Sequence, residues 1–404
     1  MLLKIAWRNI WRNRLRSGVV ITSIILGIWS GLFVIALSAG LNEQRKVSVI
    51  ENSISHLQYH HPQFLDDRNS KYVVAEVDEI VRQLESDTAV KSFTLRSLVN
   101  GMASSARGGN GVVINGVDAE KERQVTTIAD HVLDGSFLPD EGRFPVVIGE
   151  ALAKKMNVRI RSKVVLTFQD ANSEIVAGAF RVAGIYKTVS SKYDEMNIFV
   201  RRSDMQDLLQ TDNAVNEIAV LMNDFEAIPP FVEKERNTYP ELSIQPWNEI
   251  APELGYADEM MEIFLYLFLG ILLAALAFGV VNTMLMAVLE RKRELGMLMS
   301  VGMNKWRIFS MITFETISIA LAGGPIGILL AYATIHYFQS VGLDLSMWAE
   351  GLQNFGIDTM VYPHLETKYY WSLAIMVVVM AILASIYPAR KALSMNPAEA
   401  VRAI

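Results

Sequence analysis

The feature that most constrains this chain is a set of four long apolar runs separated by segments of ordinary composition. They cover residues 18–40, 259–289, 308–338 and 370–387. A helix rises ~1.5 Å per residue, so helices of these lengths match a hydrocarbon core of ~30 Å. Hydrophobic residues make up 51% of the chain and come in blocks, whereas a soluble protein would spread them. The sequence therefore predicts four transmembrane helices.

The Lys and Arg residues near the ends of these runs indicate their orientation. Basic segments lie at residues 1–17, 290–307 and 388–404. Short loops rich in Lys and Arg stay in the cytoplasm, so we expect all three segments there. Residues 41–258 and the loop of residues 339–369 then lie on the other side. The chain has no cysteine, which excludes a disulfide scaffold and leaves the compartment to be inferred from topology.

The N-terminal segment, residues 1–17, has the pattern of an amphipathic helix. Its apolar residues recur at steps of three and four, and its arginines group on another side. We predict an interfacial helix on the cytoplasmic surface. The alternative is a secretory signal ending in small residues at 36–39, but the apolar run is longer than the ~7–15 residues of such signals.

Residues 41–258 have the mixed pattern of an α+β domain. Helical spacing occurs at residues 77–86, 150–156 and 203–209, and short β-rich runs occur at 112–114, 146–148, 164–168 and 180–185. Residues 107–111 indicate a turn or mobile loop and not a phosphate-binding loop, because no Lys-Ser/Thr ending follows. The predicted fold is an α-helical membrane protein with four transmembrane helices and a large α+β extracytoplasmic domain.

No catalytic constellation emerges from the sequence. His56, His60 and His61 lie near Asp66 and Asp67, which suggests a metal site, but the even spacing of His56 and His60 on a predicted strand favours a solvated sheet edge. The phosphate-loop pattern is absent, and no Gly-Lys dipeptide occurs. We therefore predict no catalytic, cofactor or metal site in this chain, and we expect no nucleic-acid partner.

The segment of residues 290–307 is squeezed between the second and third apolar runs. It combines basic residues with Glu290 and Glu294, and with an apolar surface that includes Leu295 and Met297. A tether needs no such surface, so we interpret the segment as a short helix on the inner face of the membrane that docks a partner. The alternative is a basic cluster that only sets topology.

The third span carries two unusual features. Glu315 is an ionisable group about two turns into the span, where it is costly unless it faces protein or water. It serves either as a hydrogen-bonding group between helices or as part of a conformational switch. Gly323 and Gly327, with Pro325 between them, offer a close-packing surface and a possible kink.

Several motifs resemble the MacB/LolC/FtsX family of ABC permeases. Residues 6–16 are AWRNIWRNRLR, residues 282–296 are NTMLMAVLERKRELG, and residues 387–402 are YPARKALSMNPAEAVR. Residues 144–153, FPVVIGEALA, resemble the periplasmic domain of the family. Residues 161–163, RSK, depart from the Gly-Asp that relatives often carry there. The resemblance runs nearly from end to end of the chain.

The resemblance implies a permease that works by mechanotransmission and threads no substrate through its own helices. A cytoplasmic ATPase dimer on a separate subunit binds ATP and Mg, so the chain itself is not expected to be an enzyme. A second copy of the chain or a paralogue completes the complex. Carried over by motif, the coupling helix and its flanking groups contain Glu290, Arg293, Glu294, Gly296, Met297, Arg390 and Lys391.

The resemblance also implies a substrate class. Residues 55–62, SHLQYHHP, resemble the start of the LolC/LolE periplasmic domain. This favours extraction of lipoproteins from the outer leaflet of a bacterial inner membrane for delivery to a periplasmic carrier, with membrane lipids as further partners. The alternatives are MacB-type export of a drug, peptide or toxin with an adaptor and outer-membrane channel, and FtsX-like signalling to a cell-wall hydrolase.

Overall fold

The structure, a computed structural model, describes residues 14–210 and 215–394. These residues form two compact units. The membrane unit contains residues 14–42, 258–344 and 360–394, and the outer unit contains residues 43–257 and 345–359. Most of the predicted interfacial helix and the end of the predicted C-terminal tail lie outside the described residues.

The α-helices are numbered in chain order. They are α1 (Arg14–Val49), α2 (Phe64–Asp67), α3 (Val77–Ser86), α4 (Ala119–Val125), α5 (Glu150–Met156), α6 (Ser191–Met196), α7 (Arg202–Leu209), α8 (Ile228–Thr238), α9 (Trp247–Ile250), α10 (Pro252–Glu290), α11 (Lys292–Ser300), α12 (Lys305–Val341), α13 (Ala349–Asn354) and α14 (Thr367–Leu393). A π-helical turn, Ile50–Ile54, follows α1, and 3₁₀ turns occur at Ile128–His131, Phe225–Ala227 and Ser346–Trp348.

Four long helices, together with the short α11, form the helical part of the membrane unit. Among the described residues, α1, α10, α12 and α14 are long and apolar enough to cross a membrane, which confirms the four predicted spans. Their shared core includes Ile28 of α1 and Leu269 of α10. Large apolar side chains on the same helices, such as Ile271 and Leu329, point outward and are exposed. Apolar surface on the outside as well as in the core fits a bundle surrounded by lipid.

The outer unit is built on a long sheet. Its strands are β1 (Leu57–His60), β2 (Val90–Ser105), β3 (Gly108–Val117), β4 (Val132–Gly135), β5 (Pro145–Gly149), β6 (Lys163–Gln169), β7 (Ile175–Tyr186), β8 (Asn197–Arg201), β9 (Glu217–Met222) and β10 (Ser243–Pro246). The order is β10-β1-β9-β2-β3-β8-β5-β7-β4, and β6 pairs with β2 and β7. In the membrane unit, β11 (Leu343–Asp344) pairs with β12 (Met360–Val361).

Separate cores flank the two halves of this sheet. The half that contains β1 and β9 packs against α3 and α8, with Ile80 and Phe231 in its core. The other half packs against α5 and α7, with Leu152 and Met205 in its core. Strand β2 belongs to both halves, because its first part pairs with β9 and its second part with β3 and β6. Helices and strands together confirm the predicted α-helical membrane protein with an α+β outer domain.

The prediction of a solvated sheet edge at the histidines is wrong. Strand β1 lies between β10 and β9, and His60 has no exposed surface. Its ring nitrogens lie 3.2 Å from the Asn216 carbonyl oxygen and 2.9 Å from Gln58 Oε1. His56 Nδ1 accepts a hydrogen bond of 3.0 Å from the Met222 backbone N–H. Burial, assisted by Lys91, lowers the pKa of His56 to about 4. These histidines are internal hydrogen-bonding groups.

Of the two alternatives predicted for residues 107–111, a turn or a mobile loop, the structure has the turn. Gly108 already begins β3 and pairs with Ser105 of β2, so the turn between the two strands is confined to Ala106 and Arg107. The predicted turn is therefore the tip of a β-hairpin. Antiparallel pairing at this end satisfies the backbone groups that a mobile loop would leave to water.

Candidate functional site

The segment between α10 and α12 folds as a short helix with defined ends. Helix α10 ends at Glu290, and α11 begins at Lys292 after a single linking residue, Arg291. At the other end, Gly302 has φ +92°, its N–H bonds the Met299 carbonyl at 3.1 Å, and the Met303 N–H bonds the Leu298 carbonyl at 3.0 Å. This is a Schellman ending, which favours glycine because the backbone is left-handed there.

Helix α12 starts immediately after this ending. The Asn304 side chain accepts a hydrogen bond of 3.0 Å from the Trp306 N–H and so caps α12. Hence α11 is joined to a long helix at each end by very short connections. A displacement of α11 must be felt by α10 and α12, because the connections contain too few residues to absorb it.

One side of α11 is anchored in the membrane unit. Leu295 and Gly296 are buried, and Leu295 belongs to the core that includes Ile308 and Ile312 of α12. Complete burial of a leucine side chain stabilises by about 2 kcal/mol, so this contact holds the helix against the bundle. Gly296 was predicted as a coupling residue, and its buried position gives it a packing role.

The other side of α11 is open to solvent. Arg293, Glu294 and Met297 are exposed and lie on adjacent turns, with Met297 53% exposed. Val301 and Trp306 extend this apolar surface and are 89% and 69% exposed. Exposed charges around exposed apolar side chains are typical of a protein docking surface. Glu290 is also exposed, at the end of α10.

Glu315 forms an ion pair with Arg291. Nη1 of Arg291 lies 3.0 Å from Oε1 and 2.9 Å from Oε2 of Glu315. The Glu315 side chain is 7% exposed and that of Arg291 15%. The pair joins the link between α10 and α11 to the third span. Charge-assisted hydrogen bonds are about twice as strong as neutral ones. The pair therefore holds the link between α10 and α11 in a defined position against α12.

The two glycines of α12 allow a close helix contact. A Cβ at Gly323 would lie 3.1 Å from the Ile21 carbonyl oxygen of α1, and one at Gly327 would lie 3.0 Å from that of Ile25. Both positions therefore pack backbone against backbone. Gly324 differs, since its nearest neighbour would be Val377 Cγ1 of α14 at 3.4 Å, an ordinary contact. The geometry supports the packing interpretation of Gly323 and Gly327.

Sequence reasoning missed the role of Arg291. It counted this residue only as one of several basic groups that set topology, and it named no partner for Glu315. The signal was present, because a buried carboxylate inside a span calls for a basic partner and Arg291 lies at the end of the preceding span. Arg390 and Lys391, the flanking groups inferred from the motif, are exposed in the last turns of α14.

Two family models cover most of the chain. The MacB-like periplasmic core domain matches residues 17–236, which is more than half of the chain. The FtsX-like permease C-terminal model matches residues 266–397. The second match contains α11, Glu315 and both glycines, and the first contains the first span and most of the outer unit.

Individual relatives agree with this assignment at low identity. An uncharacterized ABC transporter permease of Methanocaldococcus jannaschii is 22% identical over 99% of this chain and 97% of its own length. The lipoprotein-releasing system transmembrane protein LolC of Neisseria meningitidis is 23% identical over 72% of this chain and 73% of its own. The macrolide export ATP-binding/permease protein MacB of a Shewanella strain is 24% identical over 96% of this chain and 58% of its own. The chain thus belongs to the MacB/LolC/FtsX family of ABC transporter permeases, membrane proteins with a MacB-like extracytoplasmic domain.

Proposed function

We propose that this chain is the permease subunit of a mechanotransmission transporter and that α11 is its coupling helix. A cytoplasmic ATPase dimer on a separate subunit would dock on the exposed side of α11 and bind ATP and Mg. The observation that carries the proposal is the two-sided character of α11: Leu295 is buried in the bundle, while Glu294 and Met297 are exposed. The M. jannaschii relative, which matches over 97% of its own length, is described as an ABC transporter permease and supports the permease assignment.

The mechanism follows from how α11 is connected. When the ATPase moves, its contact with Arg293, Glu294 and Met297 displaces α11. The displacement reaches α10 through Arg291 and reaches α12 through the short link ending at Asn304 and through the Arg291–Glu315 pair. The close packing of Gly323 and Gly327 on α1 carries the motion to the first span. A second copy of the chain or a paralogue would complete the complex.

The substrate we propose is a lipoprotein. The permease would sit in a bacterial inner membrane, take the lipoprotein from the outer leaflet and pass it to a periplasmic carrier. The match to LolC of N. meningitidis over 73% of that protein supports this choice. Export of a drug, peptide or toxin is the second candidate, and the match to a MacB over 96% of this chain favours it.

A paired substitution on α11 tests the docking surface. Glu294→Arg with Met297→Asp reverses one charge and adds another at an apolar position, so we expect loss of copurification with the ATPase and of stimulated ATP hydrolysis. The matched control makes the same changes at exposed positions of the outer unit, Glu85→Arg with Met102→Asp. Wild-type yield of ATPase with the α11 variant would refute the docking assignment.

The substrate is tested by identifying what the complex holds and releases. The chain is purified with its native ATPase, and bound molecules are identified by mass spectrometry before and after addition of ATP. Acylated peptides that leave only with ATP support lipoprotein release. An unacylated drug or peptide that stimulates hydrolysis, in the absence of acylated peptides, would instead favour export.

A further inference from the structure

The end of the first long helix is held inside the outer unit. Helix α1 is followed by the π-helical turn Ile50–Ile54, and Ile50 and Ile54 pack against Ala251 and Leu254 near the start of α10. The two ends of the segment 43–257 of the outer unit therefore meet in one apolar contact. Any movement of α1 along its axis must be resisted or transmitted at this place.

Polar groups from three further elements hold the same turn. The Thr127 N–H donates to the Glu51 carbonyl at 3.1 Å, and the Thr127 hydroxyl donates to Asn52 Oδ1 at 2.8 Å. The Tyr193 hydroxyl of α6 donates to the Asn52 carbonyl at 3.1 Å. Nη1 of Arg96, on β2, donates to the Ser53 carbonyl at 2.7 Å. Helix ends leave carbonyls without intrahelical partners, and here the outer unit supplies them.

Arg96 connects this turn to two other parts of the outer unit. Its Nη1 also donates to Glu217 of β9 at 2.6 Å. Its Nε and Nη2 donate to the two oxygens of Glu122, on α4, at 3.1 and 2.7 Å. Arg96 and Glu217 are each 5% exposed and Glu122 is 1% exposed. Burial opposes the charge on Arg96, but Glu122 and Glu217 more than offset it and raise the pKa of Arg96.

Stability alone does not account for this arrangement. Replacement of a buried ion triad by apolar residues of similar volume is often neutral or stabilising. The triad instead fixes the relative orientation of three elements, because the planar guanidinium bonds an acceptor group on each of them at once. A polar cavity of about 70 Å³ adjoins it, lined by residues that include Gln58, Asn115 and Tyr193. The charged groups thus lie beside free space instead of in a close-packed core.

We propose that Arg96 is the positioning residue that ties the end of α1 to the outer unit, so that displacement of α1 moves β9 and α4 with it. The proposal rests on the proposed function, since that function supplies the displacement. When α1 moves, the Ser53 carbonyl displaces the Arg96 guanidinium through their hydrogen bond. The guanidinium in turn displaces Glu217 and Glu122, to which it is also bonded. The outer unit then responds as one body to an event in the membrane.

The test uses two variants of this chain in the full complex. Arg96→Met with Glu122→Gln and Glu217→Gln removes all three charges of the triad, so no buried charge is left unpaired. Arg96→Lys keeps the positive charge, but the lysine cannot reach all three acceptors. The matched control is Arg201→Met with Asp204→Asn, because Arg201 also binds a carboxylate and the backbone carbonyls of Asp140 and Gly142 but does not contact the helix end. Spin labels at Glu51→Cys and Lys121→Cys, both exposed, report the distance between the helix end and α4.

Two readouts are combined. In the wild type and the control, ATP should leave the label distance unchanged, and in both Arg96 variants ATP should shift or broaden it. Substrate released per ATP hydrolysed should fall about tenfold in the Arg96 variants while hydrolysis itself persists, the size expected for loss of one coupling contact.

If the triple variant does not fold, the result with Arg96→Lys decides. An unchanged distance with unchanged release per ATP overturns the proposal. Absence of ATP-driven release in the wild type overturns the proposed function, and the role of Arg96 falls with it.

Discussion

The two units each contain an arginine that pairs with a carboxylate, and the partly buried Arg291 and the buried Arg96 are held differently. Arg291 in the membrane unit bonds both oxygens of a carboxylate, Glu315, and no other carboxylate contact of Arg291 is seen within residues 14–210 and 215–394. Arg96 in the outer unit has two carboxylates and a backbone carbonyl, all from different elements. A single pair can break and re-form as a helix moves, whereas a three-way junction resists separation. Under the proposed function, the Arg291–Glu315 pair would be the movable contact and the Arg96 junction the fixed one.

The largest expected effect concerns topology, because Arg96 and Arg291 must lie on opposite sides of the membrane. Each introduced cysteine should be either labelled or fully protected. A cysteine at Ser104 should react with an impermeant thiol reagent in outer-permeabilised cells, and one at Ser394 should be protected, because the positive-inside rule puts residues 388–404 in the cytoplasm. The chain has no native cysteine, so background labelling is absent. Labelling of Ser394→Cys alone would invert the molecule and remove the basis for the coupling helix.

The next largest effect is expected at the membrane pair. Glu315→Leu leaves the partly buried Arg291 without its carboxylate. The cost should stay below the ~3–5 kcal/mol of a fully buried pair, but both the yield of folded chain and stimulated hydrolysis should fall. Glu315→Gln keeps an acceptor oxygen and should be milder. Arg291→Leu with Glu315→Leu should recover folding but not stimulation, because the bundle is repaired and the directional contact is not. Full stimulation of hydrolysis in this double variant would show that the pair does not transmit motion.

A smaller effect is expected where α12 touches α1. Gly327→Ala should lower the free energy of unfolding of the full chain by about 1–3 kcal/mol, because the added Cβ presses on the Ile25 carbonyl of another helix. Gly324→Ala is the matched control, since its Cβ meets only Val377 at an ordinary distance. Denaturant titration in detergent measures both variants. Equal stability of the two would argue against a close contact between α1 and α12.

The predicted effect that is smallest at neutral pH is that of His56 in the outer unit, because it develops only as the pH falls. The pKa of His56 is lowered to about 4, so the folded state favours the neutral ring. Its contribution is complete above about pH 6.5 and is lost as the pH falls through about 4, by up to about 3 kcal/mol. His56→Gln should flatten the fall in Tm over this window, because the substituted side chain does not titrate. If the slope is the same in His56→Gln and the wild type, burial of His56 does not set the acid sensitivity of the outer unit.

The sequence predicted best what is encoded locally. The four spans follow from long apolar runs, and two outer helices, Val77–Ser86 and Glu150–Met156, begin and end where their spacing indicated. Strand β1 misled the interpretation of His56 and His60 because all four of its residues are buried, so it lacks the alternation that marks a half-exposed strand.

Partners that are distant along the chain could not be predicted in the same way. Arg96 meets Glu122 and Glu217 at separations of 26 and 121 residues, and nothing in the spacing of these residues records the strand order that joins them. Glu315 was recognised as unusual from its position in a span, but the choice of Arg291 among several nearby basic residues depends on the geometry of one link. In α11, the sequence indicated a docking surface, and only the structure separates its buried side from its exposed side.

The central claim, that the exposed side of α11 carries the ATPase, is tested most directly by site-specific crosslinking. A photoreactive benzophenone is attached to cysteine at Met297, and as a control at Met102 in the outer unit, in membranes that contain the native ATPase. Met297→Cys should form a crosslinked product with the ATPase whose yield changes when ATP is added, and Met102→Cys should form none. If the Met297 probe gives no ATPase product under conditions where the complex copurifies, α11 is not the coupling helix.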